Sequence, residues 1–362
     1  MKLNSLDLVN YRNYQNLHLN FTSNINVIIG NNGAGKTNLL EAIYYLSTSK
    51  SFRVKNDFNL VKKGSEFAKI TCSLTNLVDQ NLKIVLFAKG KSLFKSNQKV
   101  NRSSDFIGSL NVVLFDPSDL NFFINPKSYR RRFINIEISK ISKVYTRNLN
   151  LSLKLLKDRN VSLKNHDKIL IETLTDELIN TSVQVIRFRK HFTDFVNNNI
   201  NNYFRKLFNN NDSTITLKYE TIINDFSKIK EELTIIYHDN YEKDLRYQQT
   251  LMGCHKDDFL FYFDGTLVSE FASQGQRRMI MLALKFTIIE YIKLAIKDNP
   301  ILLLDDVLSE LDVFIRGRLF ELIDPKMQVF ITTTDINDIS IKRDFDLYTV
   351  EDTEIRKELK RW

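Results

Sequence analysis

An eight-residue stretch, residues 30–37, constrains the fold of this chain more than any other feature. It reads Gly-Asn-Asn-Gly-Ala-Gly-Lys-Thr and fits the G-x-x-x-x-G-K-[ST] pattern of a loop that surrounds phosphate groups. A β-branched run at 25–29 precedes this P-loop, and residues 38–46 follow it with the apolar spacing of a helix. Such a loop is expected between a strand and a helix, so the sequence predicts a nucleoside triphosphate site.

The residue types of the P-loop match the parts of a triphosphate. Its glycines allow backbone N–H groups to turn toward phosphates, and the following helix N-terminus adds partial positive charge. We expect Lys36 to reach the β- and γ-phosphates and Thr37 to ligate Mg²⁺. The predicted nucleotide-contacting residues are Gly30, Asn31, Asn32, Gly33, Ala34, Gly35, Lys36, Thr37 and Asn38. The alternative is a glycine-rich turn that ends in Lys-Thr by chance.

Two adjacent carboxylates lie far downstream, at the end of an apolar run. Residues 301–304 have the composition of a buried strand, and Asp305 and Asp306 follow them directly. P-loop ATPases hold Mg²⁺ and orient the attacking water with carboxylates in this position. We therefore expect Asp305 to share the magnesium ion with Thr37, and Asp306 to act with Lys36 in catalysis. Asp306 could instead be a solvated aspartate at a strand end or helix start.

A third motif indicates which class of P-loop protein this is. Residues 273–276 precede an apolar helix, so that a serine stands where the helix begins: Ser273, Gln274, Gly275 and Gln276. Alone this is an ordinary serine cap with a glycine. Followed by Asp305 and then by Ser309 and Asp312, it has the motif order of ABC-type ATPases. In that class the signature motif of one subunit faces the γ-phosphate held by the other, so we expect an ATP-dependent homodimer.

Composition limits the partners that this chain can have. It has a formal net charge of +9, which attracts polyanions and makes DNA the leading expectation, although a biased genome composition would also produce it. A cluster of three arginines supplies candidate DNA contacts: Arg130, Arg131 and Arg132. The sequence lacks an apolar run of membrane-spanning length and a signal-peptide core, so a cytoplasmic protein without a membrane partner is expected.

Breaker residues suggest how the chain is divided. Glycine is absent from 109–252, which predicts a mostly helical region, and a 3-4 apolar alternation from Ile171 to Phe195 predicts one long helix within it. Shorter β-like patterns lie on both sides. The predicted fold is α/β: an ABC-type P-loop ATPase head with mixed sheets, built from residues 1–116 and 248–362, and an inserted, mainly α-helical domain at 117–247.

In their order, these motifs resemble the RecF family of bacterial recombination-repair and replication-gap ATPases, which is related to the SMC heads. The resemblance covers essentially the whole chain. Besides the P-loop, it rests on the segments 10–14, 51–53, 115–120, 130–133, 253–258, 273–276 and 304–312.

The resemblance implies properties that composition and spacing do not show. It implies an ATP-dependent dimer that binds double-stranded and gapped DNA at single-strand junctions and helps RecR and RecO to load RecA. We also expect slow hydrolysis that DNA stimulates. The resemblance also implies that Arg12 and Asn13 lie near the adenine and ribose, and that Arg53 frames the nucleotide or contacts DNA. The chain departs from the family pattern at Ala34, Ser118 and Cys254, where Gln, Glu and Pro are usual.

Three alternatives remain open from the residues alone. One is the nucleotide-binding subunit of a membrane transporter, although transporter ATPases generally have Glu at position 306 and His at 334, where this chain has Asp and Thr. Another is an SMC-type structural ATPase, for which the span between Thr37 and Ser273 is short. The third is a nucleotide-gated scaffold with negligible turnover.

The segment 254–258 also suggests a metal site superficially, but contiguous ligands seldom surround one tetrahedral ion.

Overall fold

The computed structural model of the protein describes residues 1–75, 80–339, 343–351 and 353–360. The chain packs as two compact units. Unit 1 consists of Met1–Asp119, Asn202–Asn211 and Met281–Trp362. Unit 2 consists of Leu120–Asn201 and Asp212–Ile280.

The strands are, in chain order, β1 (Lys2–Tyr11), β2 (Tyr14–Asn20), β3 (Ile25–Gly30), β4 (Phe67–Thr75), β5 (Gln80–Phe87), β6 (Gly90–Lys95), β7 (Gln98–Val100), β8 (Val112–Phe115), β9 (Ile215–Glu220), β10 (Asp258–Phe263), β11 (Thr266–Leu267), β12 (Ile301–Asp305), β13 (Val329–Thr333), β14 (Phe345–Glu351) and β15 (Glu354–Lys360).

The α-helices are α1 (Lys36–Thr48), α2 (Ser103–Phe106), α3 (Asn121–Ile124), α4 (Lys127–Ile141), α5 (Lys143–Asn165), α6 (Lys168–Phe208), α7 (Ile229–Asp239), α8 (Tyr241–Tyr247), α9 (Val268–Phe271), α10 (Gln274–Ile296) and α11 (Val313–Leu322). Short 3₁₀ turns occupy Asp57–Leu60, Pro117–Leu120, Cys254–Lys256, Leu308–Glu310 and Ile336–Asp338.

Unit 1 contains two six-stranded sheets. One is antiparallel, with the strand order β2-β1-β4-β5-β6-β7. The other has the order β15-β14-β3-β13-β12-β8, and all of its neighbouring pairs are parallel except β14 with β15. Mixed sheets were predicted for the head and are confirmed.

Helix α1 lies in the hydrophobic core of unit 1 together with side chains from both sheets. It is apolar on nearly all sides after its first residues, which is the pattern of a buried helix rather than a surface helix. The strand run at 25–29, the helix at 38–46 and the strand run that ends at Asp305 were all predicted correctly.

Unit 2 is mainly helical and also contains a three-stranded antiparallel sheet, β11-β10-β9. The predicted long helix is α6, and its apolar seam is buried at Ile171, Leu178, Val185 and Phe192. The hairpin expected at Asp264 and Gly265 joins β10 to β11, and both turn residues have positive φ angles, 49° and 78°.

The packing of residues 248–280 differs from the predicted division of the chain. They belong to unit 2, because β10 pairs along its length with β9, whereas the sequence grouped them with the head. Strand β9 lies inside the glycine-free span, for which the sequence predicts mostly helix. Residues 202–211, predicted as part of the insertion, pack in unit 1.

Candidate functional site

The P-loop of unit 1 follows β3 at the carboxyl edge of the parallel sheet. Strand β13 separates β3 from β12, and the register sets Thr332 of β13 beside both Ile28 of β3 and Asp305 of β12. The end of β3 and the carboxylate of β12 therefore meet at one edge, which is where ligands bind in open α/β sheets.

Two of the P-loop glycines adopt backbone conformations that side chains disfavour. Gly33 has a φ of 85° and open space around its missing Cβ, whereas Gly35 has a φ of 115°. A Cβ at Gly35 would lie 2.6 Å from the Tyr14 hydroxyl and 2.8 Å from Asn13 Nδ2. The second glycine is thus required both by backbone conformation and by the close approach of β2 and the turn before it.

Lys36 points back into its own loop. Its Nζ donates hydrogen bonds to the carbonyl oxygens of Gly30 at 2.6 Å and Asn31 at 3.1 Å. Burial lowers the pKa of Lys36, while the charges of Asp306 and Asp305 act in the opposite direction. The ammonium group is therefore held by neutral carbonyl groups, which a phosphate oxygen can replace with a stronger charge-assisted bond.

Thr37 and Asp305 are brought together although 268 positions separate them. Thr37 Oγ1 donates a hydrogen bond to Asp305 Oδ1 at 3.0 Å, and Thr332 Oγ1 donates to the same oxygen at 2.7 Å. Burial raises the pKa of Asp305, and the bonds from both threonines oppose the rise. A hydroxyl and a carboxylate oxygen at one point are hard ligands that suit Mg²⁺, so the predicted pair fits the ion.

Asp306 has two features that distinguish it from a solvated strand-end aspartate. Its backbone is left-handed, with a φ of 51°, and its N–H donates to the hydroxyl of Thr332 at 3.0 Å. Within the part of the chain that the structure describes, its buried Oδ1 has no hydrogen-bond partner. Left-handed backbone in a non-glycine residue and an unsatisfied buried oxygen both cluster at functional sites. Both features are consistent with the catalytic role that the sequence predicts for Asp306.

Arg12 is bonded to the P-loop helix α1 through Glu41, a residue that the sequence analysis does not single out. Its guanidinium donates two hydrogen bonds, each 2.8 Å long, to the fully buried carboxylate of Glu41 on α1. Ser51 Oγ also donates to Glu41, at 2.6 Å, and Arg53 approaches it to 3.9 Å. A lone acidic residue in an otherwise apolar helix was the available signal, because a buried carboxylate requires a cationic partner.

Asn13 and Arg53 both contact the start of α1. Asn38 Nδ2 donates to Asn13 Oδ1 at 2.8 Å, and Arg53 donates to Asn38 Oδ1 at 2.9 Å. The Tyr14 hydroxyl donates a 3.2 Å hydrogen bond to the Gly35 carbonyl and so stabilises the loop. Arg12, Asn13 and Arg53 are thus gathered at the P-loop, and the Arg53 side chain remains 44% exposed.

The predicted signature motif begins α10 in unit 2. The backbone N–H of Ser273 donates to Gln276 Oε1 at 2.8 Å, and the N–H of Gln276 donates to Ser273 Oγ at 3.2 Å. This reciprocal pair is a capping box. Ser273, Gln274 and Gly275 are exposed, so the helix start is accessible at the surface.

Ser309 and Asp312 form a compact turn after Asp306 in unit 1. Ser309 Oγ donates to the Asp306 carbonyl at 3.0 Å, and Asp312 caps α11 by accepting from the Ile315 N–H at 2.9 Å. The next two residues, Val313 and Phe314, are 72% and 61% exposed. An exposed apolar pair beside the carboxylate strand is a feature of surfaces that bind another protein.

One member of the arginine cluster of unit 2 forms an ion pair within that unit. Arg130 forms a bidentate pair with Asp258, through hydrogen bonds of 2.7 and 2.8 Å, and Arg131 donates to the Asp257 carbonyl at 2.6 Å. Burial, followed by the nearby charge of Arg189, lowers the pKa of Arg131. Arg130 is therefore paired with a carboxylate, whereas Arg131 is held by a neutral carbonyl group; as DNA contacts, both stay predictions. Arg132 is exposed.

Three residues of the segment 254–258 bond to other parts of unit 2: Cys254, His255 and Asp257. Arg189 donates to the Cys254 carbonyl at 2.6 Å and to Asp257 at 2.7 Å. His255 Nε2 lies 3.1 Å from the Thr250 carbonyl oxygen, and burial lowers the pKa of His255 to about 4. Among the residues whose placement is described, no three His, Cys, Asp or Glu side chains cluster as a metal site.

These observations define the class of protein. A P-loop after β3, a carboxylate at the end of β12 and a Ser-capped signature helix make this an ABC-type P-loop ATPase fold. In the described parts of the chain, no helix has the length and apolar character needed to cross a lipid bilayer.

Comparisons with known proteins place the chain more closely. The family model described as the RecF/RecN/SMC N terminal domain matches residues 2–354. The DNA replication and repair protein RecF of Bacillus velezensis is 37% identical, over 94% of this chain and 95% of that protein. RecF of Clostridium botulinum is 37% identical, over 99% of this chain and 100% of that protein. The chain belongs to the RecF family.

Solved structures agree with this assignment. The recombination mediator protein RecF-ATP in the RecFOR pathway superposes with a TM-score of 0.90 and 27% identity, covering 98% of this chain and 97% of that one. The Smc head domain from Pyrococcus furiosus has a TM-score of 0.57 at 15% identity, which shows a common fold alone.

Proposed function

We propose that this protein is an ATPase of DNA repair and replication that binds ATP and Mg²⁺ at the P-loop and uses slow hydrolysis as a switch. One observation carries the proposal: Lys36, Thr37, Asp305 and the unsatisfied oxygen of Asp306 converge at one sheet edge. The RecF relatives, which are named as replication and repair proteins, and the RecF-ATP structure support it.

Each residue of this half-site has a distinct task in the proposal. Thr37 and Asp305 would hold Mg²⁺, which supplies charge neutralisation at the phosphate oxygens when bound. Lys36 exchanges its two carbonyl partners for phosphate oxygens. Asp306 Oδ1 accepts a hydrogen bond from the attacking water and orients it. Asn13, Asn38 and Arg12 fix the loop and frame the rest of the nucleotide.

We further propose that ATP joins two copies of this chain. In ABC-type ATPases the signature motif faces a triphosphate held by the other subunit, and here Ser273 to Gln276 form an exposed, capped helix start. Exposed N-terminal amides of a helix attract a γ-phosphate. Ser309, Asp312 and the exposed pair Val313 and Phe314 would lie at the same contact. Hydrolysis removes the γ-phosphate and loosens the dimer.

DNA is the proposed macromolecular partner, in double-stranded and gapped form. The net charge of +9 favours a polyanion, and contacts to phosphates make binding tolerant of sequence and sensitive to salt. Arg53, Arg131 and Arg132 remain candidate contacts. By resemblance to the family, DNA stimulates hydrolysis, and RecO and RecR act with this protein in loading RecA.

Sedimentation with and without ATP and gapped DNA tests the dimer. Lys36→Met removes the ammonium group from the phosphates, so ATP should no longer induce dimers. Ser273→Arg introduces a bulky cation at the proposed contact, so ATP binding should persist while dimerisation is lost. Dimers that survive in both variants would contradict the two-half-site proposal.

A further inference from the structure

The antiparallel sheet of unit 1 has one buried face and one open face of unusual composition. Its buried face is aliphatic, with Leu6, Ile70, Ile84 and Leu93 in the core. The opposite, open face carries three phenylalanines and three lysines, although an open sheet face is ordinarily polar without large apolar groups.

The strand register sets these side chains in rows across the sheet. One row runs from β2 to β7 through directly paired residues: His18, Asp7, Thr71, Lys83, Phe94 and Lys99. The next row is Asn16, Val9, Lys69, Val85 and Ser92. In a third row Phe67 lies directly opposite Phe87. We call these three rows the open face.

Aromatic rings on the open face are accessible. Phe67 and Phe87, a cross-strand pair, are 37% and 45% exposed, so two rings lie side by side at the surface. Lys83 Nζ lies 4.3 Å from the centre of the half-buried Phe94 ring, which joins the cation to the aromatic surface. The face therefore offers stacking surfaces beside positive charge.

The charge of the open face favours a polyanion. Lys69, Lys83 and Lys99 extend across three strands, and the one carboxylate in the three rows is Asp7. That carboxylate is engaged at 2.6 Å by His18 Nδ1. Beside it, a groove of about 520 Å³ is lined by Asn16, His18, Lys69 and Thr71 among others. Phosphates can thus approach lysines along the same face as the rings.

We propose that the open face binds single-stranded DNA, with bases stacked on the phenylalanines and phosphates beside the lysines. A duplex keeps its base faces inside its own stack, so only a single strand can use both features. The inference rests on the proposed function, because it assigns a surface to the single-stranded part of gapped DNA.

The stacking part is tested by fluorescence anisotropy of the full-length protein with labelled oligo(dT) and with a duplex of equal length. Phe67→Ser combined with Phe87→Ser should weaken oligo(dT) binding by about fivefold or more, the loss of at least one stacked base, and leave duplex binding unchanged. Tyr247→Ser removes a 66% exposed ring from unit 2 and is the matched control, expected to bind like the wild type. Unchanged oligo(dT) affinity in the double variant overturns the proposal.

The charge part has its own readout. Lys69→Gln with Lys83→Gln should reduce the slope of log affinity against log salt by about 0.7 for each lysine. On the wild-type protein, bound oligo(dT) should protect Lys69, Lys83 and Lys99 from chemical acetylation but leave the exposed Lys164 reactive. If bound oligo(dT) does not reduce the acetylation of Lys69, Lys83 and Lys99, the proposal is overturned. This test does not depend on any variant.

The two proposals fail in different ways. If variants of the open face bind oligo(dT) like the wild type while ATP still induces dimers that bind duplex, only the assignment of this surface is wrong. If Lys36→Met and Ser273→Arg both dimerise with ATP, the two-half-site proposal falls, whatever the open face binds. Binding of a protein at the open face, with no protection by oligo(dT), replaces DNA with another occupant and overturns the inference.

Discussion

Charged side chains in the P-loop of unit 1 and in the helices of unit 2 differ in the kind of partner that holds them. Lys36 is held by two neutral carbonyl groups. Arg130 and Arg189, by contrast, each face a carboxylate at hydrogen-bond distance. A buried charge that is paired with an opposite charge is costly to separate from its partner, whereas a charge held by weak neutral partners is available to a ligand.

The largest expected effect tests the ion pair between Arg189 and Asp257. Arg189 is buried and bonds to Asp257, Asn135 and the Cys254 carbonyl, so Arg189→Leu leaves an uncompensated buried carboxylate. We expect a loss of about 3–5 kcal/mol in the free energy of unfolding, measured by chemical denaturation. Arg187→Leu, at an exposed position of the same helix, should cost little. Equal losses in the two variants would show that the cluster is not a stabilising network.

A pH titration of stability addresses the same region. Burial lowers the pKa of His255 to about 4, whereas an unfolded imidazole titrates near 6.5. The unfolded chain therefore binds a proton first as the pH falls, and His255 should reduce stability by about 3 kcal/mol between pH 6.5 and pH 4. His255→Gln should remove this part of the pH dependence, and the exposed His238→Gln should not. An unchanged titration in His255→Gln would mean that the folded imidazole ionises normally.

A substitution at Arg130 tests whether this residue has a structural role or a DNA-binding role. Arg130→Gln breaks the bidentate pair with Asp258 and should cost about 2–3 kcal/mol of unfolding free energy. Because the guanidinium is already neutralised, the salt dependence of DNA binding should not change. A slope reduced by about one would restore Arg130 as a phosphate contact.

Two P-loop glycines provide the smallest and most closely matched test. Gly33→Ala meets open space and should cost only the strain of a left-handed alanine, about 1 kcal/mol. Gly35→Ala meets the Tyr14 hydroxyl as well and should cost about 1 kcal/mol more, with weaker ATP binding. Thermal unfolding and nucleotide titration measure both. Equal stability of the two variants would mean that Tyr14 moves aside freely.

Much of the site was predictable because its motifs are local. The P-loop, the strand ending in Asp305 and the Ser273 cap each depend on residues close together in the chain, and the structure shows each of these local features. The carboxylate partner of Arg130 was not predictable in the same way. Pairing with a carboxylate more than a hundred positions away is set by packing, which residue spacing does not encode.

The sequence by itself determined the class of fold, the family and the chemistry of the P-loop, because glycine conformation, helix capping and apolar periodicity act over short stretches of chain. Only the tertiary structure decided which charges remain available to a ligand. It also decided that residues 248–280 pack in unit 2 and that three rows of an antiparallel sheet bring Phe67, Phe87 and three lysines onto one face. The physical reason is that burial and ion pairing depend on contacts between distant segments, and those contacts exist only once the strands have found their register.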